Sequence, residues 1–371
     1  VIKLFNVNMS PDVGEHVSKI LQSGYIGEGG TVQQFEALLK EKLRTDATPI
    51  STNSCTSAIY LSLLALGIGP GDEVITTPMT CTATNSPIVL LGARPVWADV
   101  STVTGNILTN IGHLITHRTK AIIAVDWTGR SCDYYSLREF KLPIIQDAAH
   151  GPLLSNYTNN STTGDLVCLS FGAIKHLTCG DGGAIIVNSN SVGNVLSDWI
   201  KEELRLLRWY GLDRTSSSDF RCAQDIRYVG GKFHMNNINA AIGISNLQHL
   251  EDIVDGHKKN ALWLHGHIDT NNSRLFLAPY DPFSNYWVFP IIVFGDRRDE
   301  FKEYLLKNGI EASQVHARND KHTAFKFPAP NRYGLELFDS RQINIPCGPW
   351  VTQFNLDYMA RIINEWNPTK K

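Results

Sequence analysis

Two short apolar runs, Leu166 to Leu169 and Ala184 to Val187, bracket a stretch without regular periodicity: Ser170-Phe171-Gly172-Ala173-Ile174-Lys175-His176-Leu177-Thr178-Cys179-Gly180-Asp181-Gly182-Gly183. Runs this short and this apolar read as strands buried in a sheet. The lysine between them is thereby fixed against a core, and the glycines around it allow close backbone approach. Taken alone, Lys175 would be an ordinary solvated loop residue, because lysine is rarely buried unpaired. A third run, Leu142 to Gln146, changes that reading, since it ends in Asp147-Ala148-Ala149-His150. Carboxylates at the ends of strands in α/β sheets lie where such sheets bind ligands.

The pattern around this stretch is one of alternation. Helical segments are expected over 12–23, 35–43, 58–66, 106–116, 134–140 and 192–207, with another opening at 78–84. Strands are expected over 73–77, 94–100, 120–126 and 142–147. Strands and helices in this rhythm predict βαβ units, hence an α/β domain with a mostly parallel central sheet flanked by helices. A long helix is then expected through Leu247, Leu250 and Val254, which share one face. Beyond it the character becomes α+β: a strand over 286–294, a helix over 298–307, a strand from Ile310 to His316 and a last helix over 354–366. The division is expected near residue 245, giving a large domain (1–245) and a smaller C-terminal one (246–371).

Composition narrows the class. Net charge is −2, from 34 Lys and Arg against 36 Asp and Glu, so nothing electrostatic draws the chain to nucleic acid or an anionic membrane. The cysteines at 55, 81, 132, 168, 179, 222 and 347 are scattered, with no Cys-x-x-Cys pair. They read as reduced thiols of a cytoplasmic protein, not as disulfides or a metal site. No segment has the apolar length of a membrane span, and Val1 to Phe5 lacks the apolar core of a signal peptide. The sequons at Asn156, Asn159, Asn160 and Asn271 are accordingly expected to be incidental.

An imine-forming lysine and an aspartate that can keep a pyridine nitrogen protonated are the minimal equipment of pyridoxal phosphate chemistry. The pattern Ser-Phe-x-x-x-Lys-x-Leu-x-x-Gly-Asp-Gly-Gly, preceded by Asp-Ala-Ala-His, resembles the sugar-nucleotide aminotransferases of the DegT/StrS family. The resemblance covers nearly the whole chain. It implies the fold of the aspartate-aminotransferase type and pyridoxal 5'-phosphate as cofactor. Lys175 is implied as the residue that binds the cofactor's aldehyde and then moves a proton, and Asp147 as the partner of the ring nitrogen. His150 is implied against the phenolic oxygen, and Thr56, Ser57 and Ser170 at the phosphate. Thr56 and Ser57 also stand at a helix start, whose free N–H groups suit an anion. Lys232 is implied to reach the phosphate from the other subunit of a homodimer, Tyr25 to border the shared site, and His316 and Arg318 to line the substrate entrance. The substrates implied are an amino acid, usually glutamate, and a keto sugar on a nucleoside diphosphate, expected here to be a 4-keto-6-deoxyhexose. The product would be an amino sugar for surface polysaccharides or glycosylated natural products.

The chain departs from the family pattern at several places. Cys55 replaces the glycine before Thr56, and Cys81 replaces the aromatic that stacks on the cofactor ring, although a polarizable sulfur can still pack there. Lys232 and His234 stand where the family has asparagine and arginine; a lysine still pairs with a phosphate as a point charge. These changes leave open a regulatory or binding homologue without turnover. A 3-dehydratase of the same family would carry histidine at the lysine position, and His176 is one residue away. A generic nucleotide-binding protein would need a phosphate-loop pattern that is missing.

Overall fold

The apolar runs do form buried strands, and helices cover both of their faces. The computed structural model describes residues 1–45, 48–151, 163–188, 194–214, 219, 221–271, 274–325, 327 and 332–367; Asn156, Asn159 and Asn160 lie outside them. Two helices come first, α1 (Val13–Ser23) and α2 (Gly30–Leu43). There follow β1 (Ile50–Thr52), α3 (Cys55–Ala65), β2 (Glu73–Thr76), α4 (Thr82–Leu90), β3 (Arg94–Trp97), β4 (Thr119–Val125) and α5 (Tyr134–Leu137). Next are β5 (Ile144–Ala148), β6 (Leu166–Ser170), β7 (Gly183–Val187) and α6 (Asn194–Leu207). These seven strands form one sheet in the order β1-β7-β6-β5-β4-β2-β3. The run from β3 to β6 is parallel, and β7 is antiparallel to both of its neighbours.

Successive strand residues point to opposite faces, and each face has its own core. Ile145, Cys168 and Ile185 pack with Ala58, Ile59 and Leu204 of α3 and α6. Val167, Leu169, Ala184 and Ile186 pack with Phe35 and Leu39 of α2. Burial on both faces is what parallel strands require, and it accounts for continuous rather than alternating apolar runs.

The remainder begins with α7 (Asn237–Leu247) and α8 (Leu250–His267), followed by β8 (Leu275–Phe276), β9 (Phe289–Val293), α9 (Arg298–Lys307), α10 (Tyr333–Arg341), β10 (Gln342–Ile345) and α11 (Gln353–Glu365). The three strands pair antiparallel in the order β10-β9-β8. Phe289, Ile291, Phe301, Ile343, Met359 and Trp366 belong to their core.

Three expectations fail for identifiable reasons. The segment 106–116 is not a helix: Asn106 spends its amide on the carbonyls of Arg130 and Ser131 (2.9 and 3.0 Å) and accepts from the Trp127 N–H. Only a short 3-10 turn, Gly112–Leu114, forms there. The long helix through Leu247 and Val254 is two helices, broken at 248–249, where Ser10 bonds to Asn246 and meets the His249 ring. Ile310 to His316 is not a strand either. Ile310 and Ser313 make single bridges to Ile2 and Asn344, and Val315 then takes a left-handed φ of 68°. A β-branched residue in that conformation ends any extended run and redirects the chain.

Candidate active site

Asp147 and Lys175 come within electrostatic reach of each other because their strands are neighbours. β5 pairs with β6 in parallel, with Asp147 opposite Cys168, so the end of β5 lies beside the turn that leaves β6. The Asp147 carboxylate is buried; its Oδ2 accepts from Thr84 Oγ1 at 2.6 Å and its Oδ1 from the Ala149 N–H at 3.1 Å. The Cys55 thiol lies 4.0 Å from Oδ1. Burial raises the Asp147 pKa, and the Thr84 and Ala149 donors and the Lys175 charge oppose it. Burial lowers Lys175 to about 8, against the pull of Asp147 and the thiols of Cys55 and Cys81. At that pKa about a tenth of the amine is neutral at pH 7, some hundreds of times more than for an ordinary lysine. A nucleophile or base is therefore present near neutrality.

His176, the next residue, turns the other way. Its Nε2 is 3.1 Å from the Asn285 carbonyl and its ring 4.5 Å from that of His257. Lys175, not His176, is the residue whose charge acts on Asp147.

The histidine cluster around Lys175 spans distant parts of the chain. His150 accepts the Thr128 N–H at Nδ1 (3.3 Å), so its own proton sits on Nε2, which is 3.3 Å from Nε2 of His316. The Val315 turn brings His316 here. Burial first, and then Lys175, depresses both rings, His316 to about 4, which leaves the pair neutral at pH 7. Trp287 completes the group: His150 stacks on it at 4.3 Å and 14°, and the Lys175 Nζ lies 3.9 Å from its ring centroid. Nothing in the sequence singled out Trp287. The one hint was the aromatic pair Tyr286-Trp287 at the start of the expected strand.

The hydroxyl residues expected at the phosphate gather around the start of α3. Ser54 caps α3, accepting the Ser57 N–H at 3.1 Å, while Cys55 and Thr56 are the first helical residues, whose N–H groups no turn of helix satisfies. A Cβ at Gly183 would stand 2.5 Å from the Ser54 carbonyl carbon, so only glycine lets β7 close on this helix start. Gly183 in turn pairs with Ser170. One glycine thereby gathers Thr56, Ser57 and Ser170.

The remaining candidates divide. The backbone of Lys232 and Phe233 is tied to this chain's own Asn53, by bonds of 3.2 and 2.7 Å, one residue from the cap. His234 packs edge-on against Trp209 at 3.9 Å, and burial lowers its pKa to about 4, so the family's arginine charge is lost there. Tyr25 is exposed and lines a separate cavity of about 920 Å³ with Glu28, Arg208 and Trp209. Arg318, expected at the substrate entrance, is instead buried in an ion-pair cluster. Its guanidinium pairs with Asp320 (2.6 Å) and Glu336 (2.6 Å), which cancels the charge a substrate would need. Cys81 stands immediately before α4 and contributes to the electrostatics of Lys175.

Asn319 fastens the His316 segment to the Cys81 segment. Its N–H donates to the Pro78 carbonyl, its amide donates to the Thr80 carbonyl and its oxygen accepts from Asn85, each at 2.8 Å, and both asparagines are fully buried. Asn319→Ala orphans the buried Thr80 carbonyl and one N–H of the Asn85 amide, whose other N–H keeps the Thr77 carbonyl at 3.0 Å. We expect a loss of about 2–3 kcal/mol in urea unfolding, where an exposed asparagine would cost only a few tenths.

The sequence profile of the DegT/DnrJ/EryC1/StrS aminotransferase family matches residues 8–364. The spore coat polysaccharide biosynthesis protein SpsC of Bacillus subtilis (strain 168) is 32% identical over 250 residues, 64% of this chain and 62% of SpsC. The fold superposes on the sugar aminotransferase CalS13 from Micromonospora echinospora with TM-score 0.86 and 31% identity, over 99% of this chain and 100% of that one. It superposes equally on the PLP form of Spr1654 from Streptococcus pneumoniae, with TM-score 0.87 and 25% identity, over 98% and 97%. A match of this extent on sequence and fold together means that the chain belongs to the DegT/DnrJ/EryC1/StrS aminotransferase family.

Proposed function

We propose that this protein is a pyridoxal-phosphate-dependent sugar aminotransferase that takes an amino group from L-glutamate and delivers it to a nucleotide-linked 4-keto-6-deoxyhexose. The observation that carries the reading is the Lys175 amine, lowered by burial to about 8, within electrostatic reach of the buried carboxylate of Asp147 at the end of the neighbouring strand. The donor set fits the cofactor chemically. A helix start with hydroxyls suits a phosphate, a buried carboxylate suits a protonated ring nitrogen, and a desolvated amine suits an aldehyde.

When bound, pyridoxal phosphate supplies an electron sink for the carbon that loses its proton. The N–H groups at Cys55 and Thr56, with the hydroxyls of Thr56, Ser57 and Ser170, hold the phosphate. In a homodimer, Lys232 of the second subunit adds a positive charge there. Asp147 holds the ring nitrogen, and the two donors on its oxygens keep the carboxylate aimed. His150, protonated on Nε2, offers that hydrogen to the phenolic oxygen. Lys175 takes the proton from the donor's α-carbon and returns it on the far side of the transfer, roles that a pKa of about 8 suits near neutrality.

The 3-dehydratase alternative requires a histidine in the place of the amine, and the contacts of His176 with Asn285 and His257 speak against it. The test is incubation with glutamate and a panel of dTDP-, UDP- and GDP-linked 3- and 4-keto sugars, read by mass spectrometry. We expect one 4-keto sugar to become an amino sugar, with 2-oxoglutarate formed in equal amount. Loss of a hydroxyl without gain of nitrogen would overturn the reading.

A further inference from the structure

Trp287 is held more tightly than packing alone requires. It is only 3% exposed, its Nε1–H donates to the Ile174 carbonyl at 2.9 Å, and its backbone N–H donates to the Thr128 carbonyl at 2.9 Å. Phe5 packs on it at 4.8 Å and His150 at 4.3 Å. The Ile174 bond ties the indole to the residue that immediately precedes Lys175. Ring orientation and lysine backbone are therefore fixed relative to each other, and the amine is 3.9 Å from the ring centroid.

A ring face attracts a cation through its quadrupole, and more strongly where water is scarce. Burial drives the Lys175 amine toward neutrality, whereas the indole face favours its charged form. The two influences act on an amine that must both accept and give a proton. We propose that Trp287 is a positioning residue for the transfer, its face docking the ε-amine of Lys175 whenever that amine is free and keeping it protonatable. The role in transfer rests on Lys175 being the reacting amine; the docking itself does not.

Competitive acetylation of the cofactor-free protein with acetic anhydride, with Lys175 followed by peptide mass spectrometry against pH, reads the amine directly. Trp287→Leu removes the face, and the Lys175 midpoint is expected to fall by about half a unit or more, a threefold or larger change in proton affinity. Trp287→Phe keeps a face and is expected to stay within about 0.3 unit. Because Trp287→Leu disturbs the packing of Leu4 and Val288, the protein is also prepared with tetrafluorotryptophan, which keeps the shape and weakens the quadrupole. Its midpoint falls in the same direction, while Trp287→Phe carrying the same fluorinated residues elsewhere does not shift further. With the cofactor restored, kcat of Trp287→Leu falls about tenfold with little change in KM, as for loss of an interaction made during reaction. Coincident midpoints for the wild-type, leucine and fluorinated proteins would overturn the docking, and a shifted midpoint with unchanged kcat would overturn the role in transfer. Turnover surviving in Lys175→Ala would instead strike at the choice of reacting amine.

Discussion

Replacing Lys175 by alanine is expected to lower transamination by about four orders of magnitude or more, since one substitution removes both the covalent anchor and the proton carrier. Borohydride treatment in the presence of pyridoxal phosphate should leave a phosphopyridoxyl group on Lys175 of the wild-type chain, the cofactor's mass less water plus two hydrogens, and none at position 175 of the variant. Folding should not suffer, because the substitution deletes a desolvated amine. Linkage gives the sign. The folded pKa, about 8, lies below the ordinary lysine value of 10.5, so between these values the unfolded chain binds more protons. Stability of the cofactor-free wild type relative to Lys175→Ala therefore rises with pH across that window and is flat below it, where both states are charged. A variant that retained transamination within tenfold would show that another group does the chemistry.

The strands that carry Asp147 and precede Lys175 were legible in the chain because they depend on short-range features. Short buried apolar runs declare strands of one sheet, although the adjacency of β5 and β6 is seen only in the fold, and the glycines at 180, 182 and 183 mark where the backbone must fold tightly. The start of α3 was legible for the same reason: small hydroxyl residues precede an apolar segment, and Ser54 caps it. What stayed hidden depends on long-range contact. Trp287 reaches Lys175 across more than a hundred residues, and no periodicity marks it. His316 was suspected as a member of a polar loop, but it reaches His150 only because Val315 turns with positive φ, which no strand pattern foretells. Arg318 misled for the converse reason. A lone arginine after a supposed strand looks available, and its neutralisation by Glu336, eighteen residues on, emerges only when α10 packs. The segment at 106–116 misled through its spacing, since Ile107 and Ile111 are buried as a helix would bury them while Asn106 commits the chain to a loop.

Asp147→Asn should separate stability from function. The wild-type carboxylate is desolvated, and burial raises its pKa despite two donors, so its charge is uncomfortable in the fold. An asparagine is nearly isosteric. Its oxygen can accept the Ala149 N–H, and its NH2 can donate to Thr84, whose hydroxyl is able to reverse direction. The variant is accordingly expected to unfold at the same temperature as wild type or somewhat higher when both lack the cofactor. Its activity should behave in the opposite way. An amide cannot balance a protonated ring nitrogen, so the nitrogen loses its proton and withdraws fewer electrons from the carbon that Lys175 deprotonates. A thousandfold fall in kcat, equivalent to about 4 kcal/mol in the barrier, is the expected scale. Thr84→Val, which leaves the charge and removes only the 2.6 Å donor, should cost far less, about tenfold. If Asp147→Asn were to retain activity within tenfold while Thr84→Val did not, the carboxylate would be serving the fold of α4 and not the ring nitrogen. The opposite ranking, with unfolding undisturbed in both variants, places the requirement on the charge itself.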